Sequence, residues 1–180
     1  MFIGLLSDTH GVFDAPLRHF FAEVDQIWHA GDFGNIATAD AIAAFKPLLG
    51  VHGNCDDQTV RLVHPPVRWF EIEQMSVLMT HIGGYPGHYD YKALQLIQAH
   101  QPQIFICGHS HILRIGTGNV STKTETGNIP TKIRAKNFSP LHINPGAAGH
   151  YGPHPLRTAL RFRIEKGKIF DMEVWEKENH

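Results

Sequence analysis

Five short stretches put acid, imidazole and amide side chains at fixed positions along this chain: Asp8-Thr9-His10, Gly31-Asp32, Gly53-Asn54-Cys55-Asp56, His81 and Gly108-His109-Ser110-His111. Any one of them alone is weak. Asp8 could close a turn, Asn54 could sit in a left-handed position, and His81 could be a surface histidine. Taken together, Asp8, Asp32, His10, His81, His109, His111 and Asn54 offer more ligands than one tetrahedral zinc uses, and none of the seven is a thiolate. Such a set suits two metal ions that share a carboxylate. Mixed imidazole and oxygen ligation favours borderline-to-hard divalent ions: Mn first, with Fe, Ni or Zn as alternatives. Two divalent cations against two carboxylates and a bridging hydroxide leave a net positive centre, which attracts a phosphate ester. Metals roughly 3.5–4 Å apart can generate hydroxide near neutral pH and clamp an in-line displacement at phosphorus.

Residues this far apart in sequence meet only if the fold collects them. Phe2 to Leu6 is a continuous apolar run, the pattern of a strand buried on both faces. Asp14 before Ala15-Pro16 reads as a helix N-cap, followed by Leu17, Phe20, Phe21 and Val24 at helical spacing. Ile27 to Ala30 predicts a strand, Ile36 to Phe45 a helix and Leu48 to His52 a strand, a βαβαβ order that argues for a parallel sheet. Farther on, Val67 to Glu73, Met75 to Thr80 and Ile104 to Cys107 read as strands. Asp90 caps a helix that runs to about His100. Residues 157 to 175 form a C-terminal hairpin with Leu160, Phe162 and Ile164, then Phe170, Met172 and Val174, on its apolar face. That hairpin is expected to cover the core as a sheet edge. All five ligand-bearing stretches follow a predicted strand, at the carboxyl ends where open α/β sheets place their sites.

The chain has 180 residues, 42% hydrophobic and 18% charged, which fits one α/β domain over residues 1–180 and excludes intrinsic disorder. No apolar run reaches the ~20 residues of a membrane span, and Phe2 to Leu6 is too short for a signal peptide. Sixteen Lys plus Arg against 17 Asp plus Glu give a net charge of -1, so no basic surface marks a nucleic-acid partner. Two cysteines, Cys55 and Cys107, make no disulfide framework and point to the cytoplasm. The expected partner is a small phosphate ester, and a homo-oligomeric assembly is left open.

The order and spacing of Asp8-x-His10, Gly31-Asp32, Gly53-Asn54, His81 and Gly108-His109-x-His111 resemble the calcineurin-like metallophosphoesterase superfamily. Asn144-Pro145-Gly146-Ala147, after a short strand, is similar to a signature of its small bacterial YfcE-type phosphodiesterases. The resemblance implies a four-layer α/β/β/α sandwich of two mixed β-sheets with a dimetal centre at one edge. It further implies that Asp8, His10, Asp32 and His111 hold one metal, and that Asp32 bridges to a second completed by Asn54, His81 and His109. The activity it implies is hydrolysis of P–O bonds by a metal-bridging hydroxide, most simply as a phosphodiesterase, with Asn54, His81 and Cys55 nearest the chemistry. A phosphomonoesterase and a non-catalytic metal-binding scaffold, as in the retromer subunit of the same fold, are the alternatives.

Three features depart from the wider superfamily. Cys55 stands where many members have a histidine that protonates the leaving group. Ile82-Gly83-Gly84 follows His81 in place of Gly-His, and His88 is expected to be a solvent-exposed loop histidine. Residues 116 to 132 are rich in Thr, Gly, Asn and Lys and read as a loop or mobile hairpin. Of the remaining groups, His29 is expected to support Asp32 or to pack within its strand. Asp56 is expected to stabilise the Gly53-Asn54 turn, His150 to approach the substrate side, and Cys107 to pack as a small apolar residue.

Overall fold

The computed structural model describes residues 1–118, 120, 138–152 and 154–179. Two five-stranded sheets carry the fold. The first half of the chain gives β1 (Phe2–Leu6), α1 (Ala15–Phe20), β2 (Gln26–His29), α2 (Ile36–Phe45), β3 (Leu48–Gly50) and α3 (Gln58–Val63). There follow β4 (Val67–Ile72), β5 (Met75–Thr80), the short pair β6 (Gly84–Tyr85) and β7 (His88–Tyr89), α4 (Tyr91–His100) and β8 (Ile104–Ile106). The chain closes with β9 (Leu113–Thr117), β10 (Leu141–Pro145), β11 (Leu156–Glu165) and β12 (Lys168–Glu178). The strand orders are β12-β11-β1-β2-β3 and β4-β5-β8-β10-β9. Each sheet has three parallel strands, β1-β2-β3 in one and β5-β8-β10 in the other, with antiparallel strands beside them.

Side-chain alternation sorts the chain into four layers. Ile3, Leu5 and Trp28 from one sheet meet Val77, Met79, Ile104, Ile106 and Ile143 from the other in a buried central layer. Phe2, Leu6 and Ile27 point the opposite way, onto Leu17, Phe21, Ile42 and Val60 around α1 to α3. On the outer face of the second sheet, Leu78 and Phe105 pack against Ala93 and Ile97 of α4. The result is the expected α/β/β/α sandwich of two mixed sheets. Among the described residues no helix is long and apolar enough to cross a membrane.

Helix α1 stops at Phe20, before the expected Val24. The chain tightens there into turns, with Ala22 N–H donating to His19 and Val24 N–H to Phe21, yet Phe21 and Val24 are still buried. The C-terminal hairpin also differs from expectation. Its first strand is interior, lying between β1 and β12, so only β12 forms the edge. A register shift between Arg161 and Arg163, with Asp171 at φ 49°, adds a residue to β12. One added residue flips the faces beyond it. Ile169 and Met172 therefore both pack on the core while Phe170 turns outward, and Val174, opposite Leu160 on the same face as Met172, is exposed along the edge strand. His88 is exposed, as expected, but lies in strand β7 with Tyr85 beside it. In the 116–132 segment, residues up to Thr117 complete β9, and Val120 pairs antiparallel with Phe138; the rest of that expected loop, residues 119 and 121–132, lies outside the described residues.

Candidate metal centre

The parallel strands of both sheets run out toward one edge and deliver their polar residues there. Asp8 and His10 follow β1, Asp32 follows β2, Asn54 follows β3, His81 follows β5, and His109 and His111 follow β8. Five of these seven adopt left-handed backbone: Asp8 (φ 53°), His10 (44°), Asp32 (57°), His109 (67°) and His111 (58°). Positive φ is uncommon outside glycine, although Asp and His tolerate it better than most residues. The chain reverses at each strand end so that the side chain turns back toward the centre.

The two carboxylates work alike. Asp8 Oδ2 accepts the backbone N–H of His109 at 3.1 Å, which leaves Oδ1 facing His111 Nε2 at 3.2 Å and His81 Nε2 at 4.0 Å. Asp32 Oδ1 accepts the N–H of Cys55 at 2.9 Å, and Oδ2 faces His81 Nε2 at 3.3 Å and His10 Nε2 at 4.0 Å. One oxygen is thus spent on the backbone and the other on the centre. Two clusters result, Asp8-His10-His111 and Asp8-Asp32-His81, each with its ligand atoms within 4.8 Å of one another. Asp8 is common to both, and Asp32 also faces histidines of both, so sharing is built into either carboxylate. His109 places its ring 5.2 Å from that of His81, centroid to centroid, and is exposed. Asn54 is exposed at the rim, its Nδ2 donating to Cys55 Sγ at 3.3 Å, so its side-chain oxygen remains available.

Two of the imidazoles are oriented from behind. His81 Nδ1–H donates to the Ala30 carbonyl at 2.8 Å, and His111 is held by the Tyr151 carbonyl, so each turns Nε2 inward. Asp8 Oδ1, His10 Nε2 and His81 Nε2 are buried without a well-aligned hydrogen bond. Buried polar atoms are nearly always satisfied, so ligand atoms of this kind converging on one point fit divalent cations. Without cations the charges lean on one another. Burial opposes the charged form of Asp32, yet hydrogen bonding and charge from His81 hold its carboxyl well below the usual range. Burial likewise opposes a charged His81, but Asp32 and Asp8 raise it overall, and the Asp8 hydrogen bond raises His111.

The loops beneath are braced by residues outside the candidate ligand set. Asp56 accepts the N–H groups of Asp32 (3.0 Å), Gly34 (3.0 Å) and Gly53 (2.8 Å), tying the second and third strand ends together. Its reach to Gly53 was legible in the sequence; its grip on the Asp32 loop was not. His29 is fully buried and does both jobs expected of it. Nδ1 accepts the N–H of Gly31 at 3.1 Å, and Nε2 meets Thr9 Oγ1 at 2.9 Å. The glycines of two motifs are explained by crowding. A Cβ on Gly31, which is at φ 100°, would come within 2.5 Å of His81 Nδ1, and one on Gly53 would collide with the Asp32 carboxylate. His150 is not at the substrate side: its ring meets Asn179 and Arg157 at 3.0 and 3.3 Å. Cys107 is buried among apolar neighbours, and burial pushes its thiol up to about 12. Sequence reasoning missed Tyr151, whose ring is 70% exposed and packs 4.9 Å from that of His10. Its position shortly after the Asn144-Pro145-Gly146-Ala147 motif was the available signal.

A family model for the calcineurin-like phosphoesterase superfamily domain matches residues 1–167. A probable metallophosphoesterase of Methanothermobacter thermautotrophicus is 31% identical over 184 aligned residues, covering 91% of this chain and 99% of that protein. Among solved structures, a novel archaeal phosphodiesterase superposes with a TM-score of 0.64 at 20% identity, over 97% of this chain and 100% of its own. Zinc-complexed wild-type Vps29 from Entamoeba histolytica does so with a TM-score of 0.64 at 17% identity, over 100% of both chains. The two structures share the fold, and the family model's match spans every candidate ligand residue named above. This chain belongs to the calcineurin-like phosphoesterase superfamily.

Proposed function

We propose that the protein is a metal-dependent phosphodiesterase of small substrates in the cytoplasm, working with two divalent ions, Mn foremost, held by Asp8, His10, Asp32, Asn54, His81, His109 and His111. The observation that carries the preference for diesters is Cys55. It stands at the rim beside Asn54, where a leaving alkoxide needs a proton. A thiol ordinarily ionises above neutral pH, and in the metal-free protein partial burial, then the hydrogen bond and charge of Asp32, push this one higher. Bound divalent ions supply Lewis-acid polarisation of the phosphoryl oxygens and make water a better nucleophile. The chain supplies the rest. Asp8 and Asp32 fix charge through one oxygen each, and the Ala30 and Tyr151 carbonyls keep Nε2 of His81 and His111 turned inward. A rim without a strong acid suits weakly basic leaving groups, and a diester presents one fewer negative charge to the attacking oxygen.

The test is hydrolysis of bis(4-nitrophenyl) phosphate and 4-nitrophenyl phosphate by metal-stripped protein reloaded with manganese. Faster diester turnover is expected. A monoester preference replaces this reading with a phosphomonoesterase. Two bound ions with no turnover of either ester replace it with a non-catalytic scaffold.

A further inference from the structure

Beside the centre lies a cleft of about 580 Å³ whose inner wall is Gly53, Asn54 and His81 and whose outer wall is the first turns of α4. Asn54 and His81 belong both to the candidate ligand set and to the lining of this cleft. The volume falls within the roughly 300–1,000 Å³ of small-molecule sites and far exceeds what a methyl ester fills. Val67, Ile82 and Leu96 make its apolar surface, and Ile82, the residue next to His81, is 41% exposed. A branched aliphatic side chain kept open beside a ligand residue gains by being covered. Two cations flank the space. Arg61 donates to the Asp56, Gly53 and Asn54 carbonyls at 2.7, 3.2 and 3.0 Å, which fixes the inner wall and leaves a positive charge behind Asn54. Lys92 stands exposed at the lip. The acid in the lining, Asp90, is committed to the N–H groups of Lys92 and Ala93 as the α4 cap.

We propose that this cleft is the subsite for the larger alcohol substituent of the phosphodiester, and that it takes a nucleoside-sized or aryl-sized, mainly apolar group. The proposal rests on the phosphodiesterase reading and deepens it. Hydrolysis of such an ester adds water at phosphorus, breaks one P–O bond and yields an alcohol and a phosphate monoester.

The experiment measures binding, so that it does not depend on turnover. Thymidine 5′-monophosphate, methyl phosphate and inorganic phosphate are titrated calorimetrically into manganese-loaded protein. The nucleotide is expected to bind at least about tenfold tighter than methyl phosphate, since apolar surface is covered. In Leu96→Trp, which fills the cleft, that ratio falls toward one while inorganic phosphate binds as before. Ile82→Asp, at a position 41% exposed, lowers the ratio in the same direction, with a melting curve confirming that the variant is folded. Equal binding of nucleotide and methyl phosphate by the wild type overturns the proposal. So does a ratio unchanged in both variants. Diester hydrolysis without size preference would remove the cleft and leave the activity; size-selective binding without hydrolysis would do the reverse.

Discussion

His29 lies flat against Phe33, with ring centroids 3.6 Å apart and planes 13° from parallel, and from that position it joins the Gly31 backbone to the Thr9 hydroxyl. Phe33 is stacked in turn on His64 at 4.5 Å. The arrangement fixes the turns that carry Asp8, His10 and Asp32 before any ligand atom is considered. His29→Phe should keep the stack and lose both hydrogen bonds. Metal affinity should then fall by roughly 10- to 100-fold, the usual effect of removing a residue that supports a ligand loop. Manganese titration with a parallel melting curve checks this; a folded variant with unchanged affinity would contradict the bracing role.

Because Asp8 and Asp32 each face histidines of both clusters, neither ion should survive the loss of either carboxylate. Elemental analysis of manganese-replete protein should find about two ions per chain. Asp8→Asn and Asp32→Asn should each lose more than one, whereas Asn54→Ala, altering a rim residue, should weaken only one. A single ion lost from both aspartate variants would show that the carboxylates are not shared.

Cys55→His places an imidazole with a reference pKa of about 6.5 where the thiol now stands. Monoester turnover should rise relative to diester turnover, read as kcat/KM for matched aryl substrates with metal content verified. An unmoved ratio would remove position 55 from proton transfer. If the thiol is instead a ligand, Cys55→Ala will change metal affinity, which it otherwise should not.

His142 gives a pH dependence through a group outside the candidate ligand set. It is fully buried, and burial, with the charge of Arg114 adding, depresses it to about 4. In the unfolded chain it titrates near 6.5, so between about pH 6.5 and 4 the unfolded state binds the proton and the folded state does not. Stability should therefore fall as pH drops through that window, by on the order of 3 kcal/mol from this residue, and level off below it. His29 and His64, also depressed chiefly by burial, add to the loss in the same direction. His142→Phe should flatten the curve of urea-unfolding free energy against pH. An unchanged slope would mean that His142 is readily protonated in the folded protein.

Much of this fold was legible because its elements are punctuated and periodic. Asn35 and Asp90 cap α2 and α4 through side-chain oxygens, and those helices run over the predicted residues, as does strand Met75–Thr80. Helix α3 was not foreseen. It has six residues, and Leu62 and Val63 are 77% and 59% exposed, so its sequence shows no buried stripe. The bulge at Asp171 was hidden for a related reason: alternation reads the same until one residue is added. In the centre, the acids and imidazoles were visible because each sits where a strand ends. Asp56 and Tyr151 were less so, since their roles depend on loops that approach from other parts of the chain.

The left-handed backbone at Asp8, His10, Asp32, His109 and His111 sets how this site can drift. A position at positive φ admits glycine, asparagine, aspartate or histidine readily and penalises alanine, and branched residues most of all. Substitutions that spare the loop shape are therefore confined to a few residue types, several of which still carry a ligand atom. A descendant that abandoned catalysis would shed its metals through Asn or Gly at these corners with its surface contour intact. The reverse path, from an ordinary strand end to a ligand, would need backbone and side chain to change together.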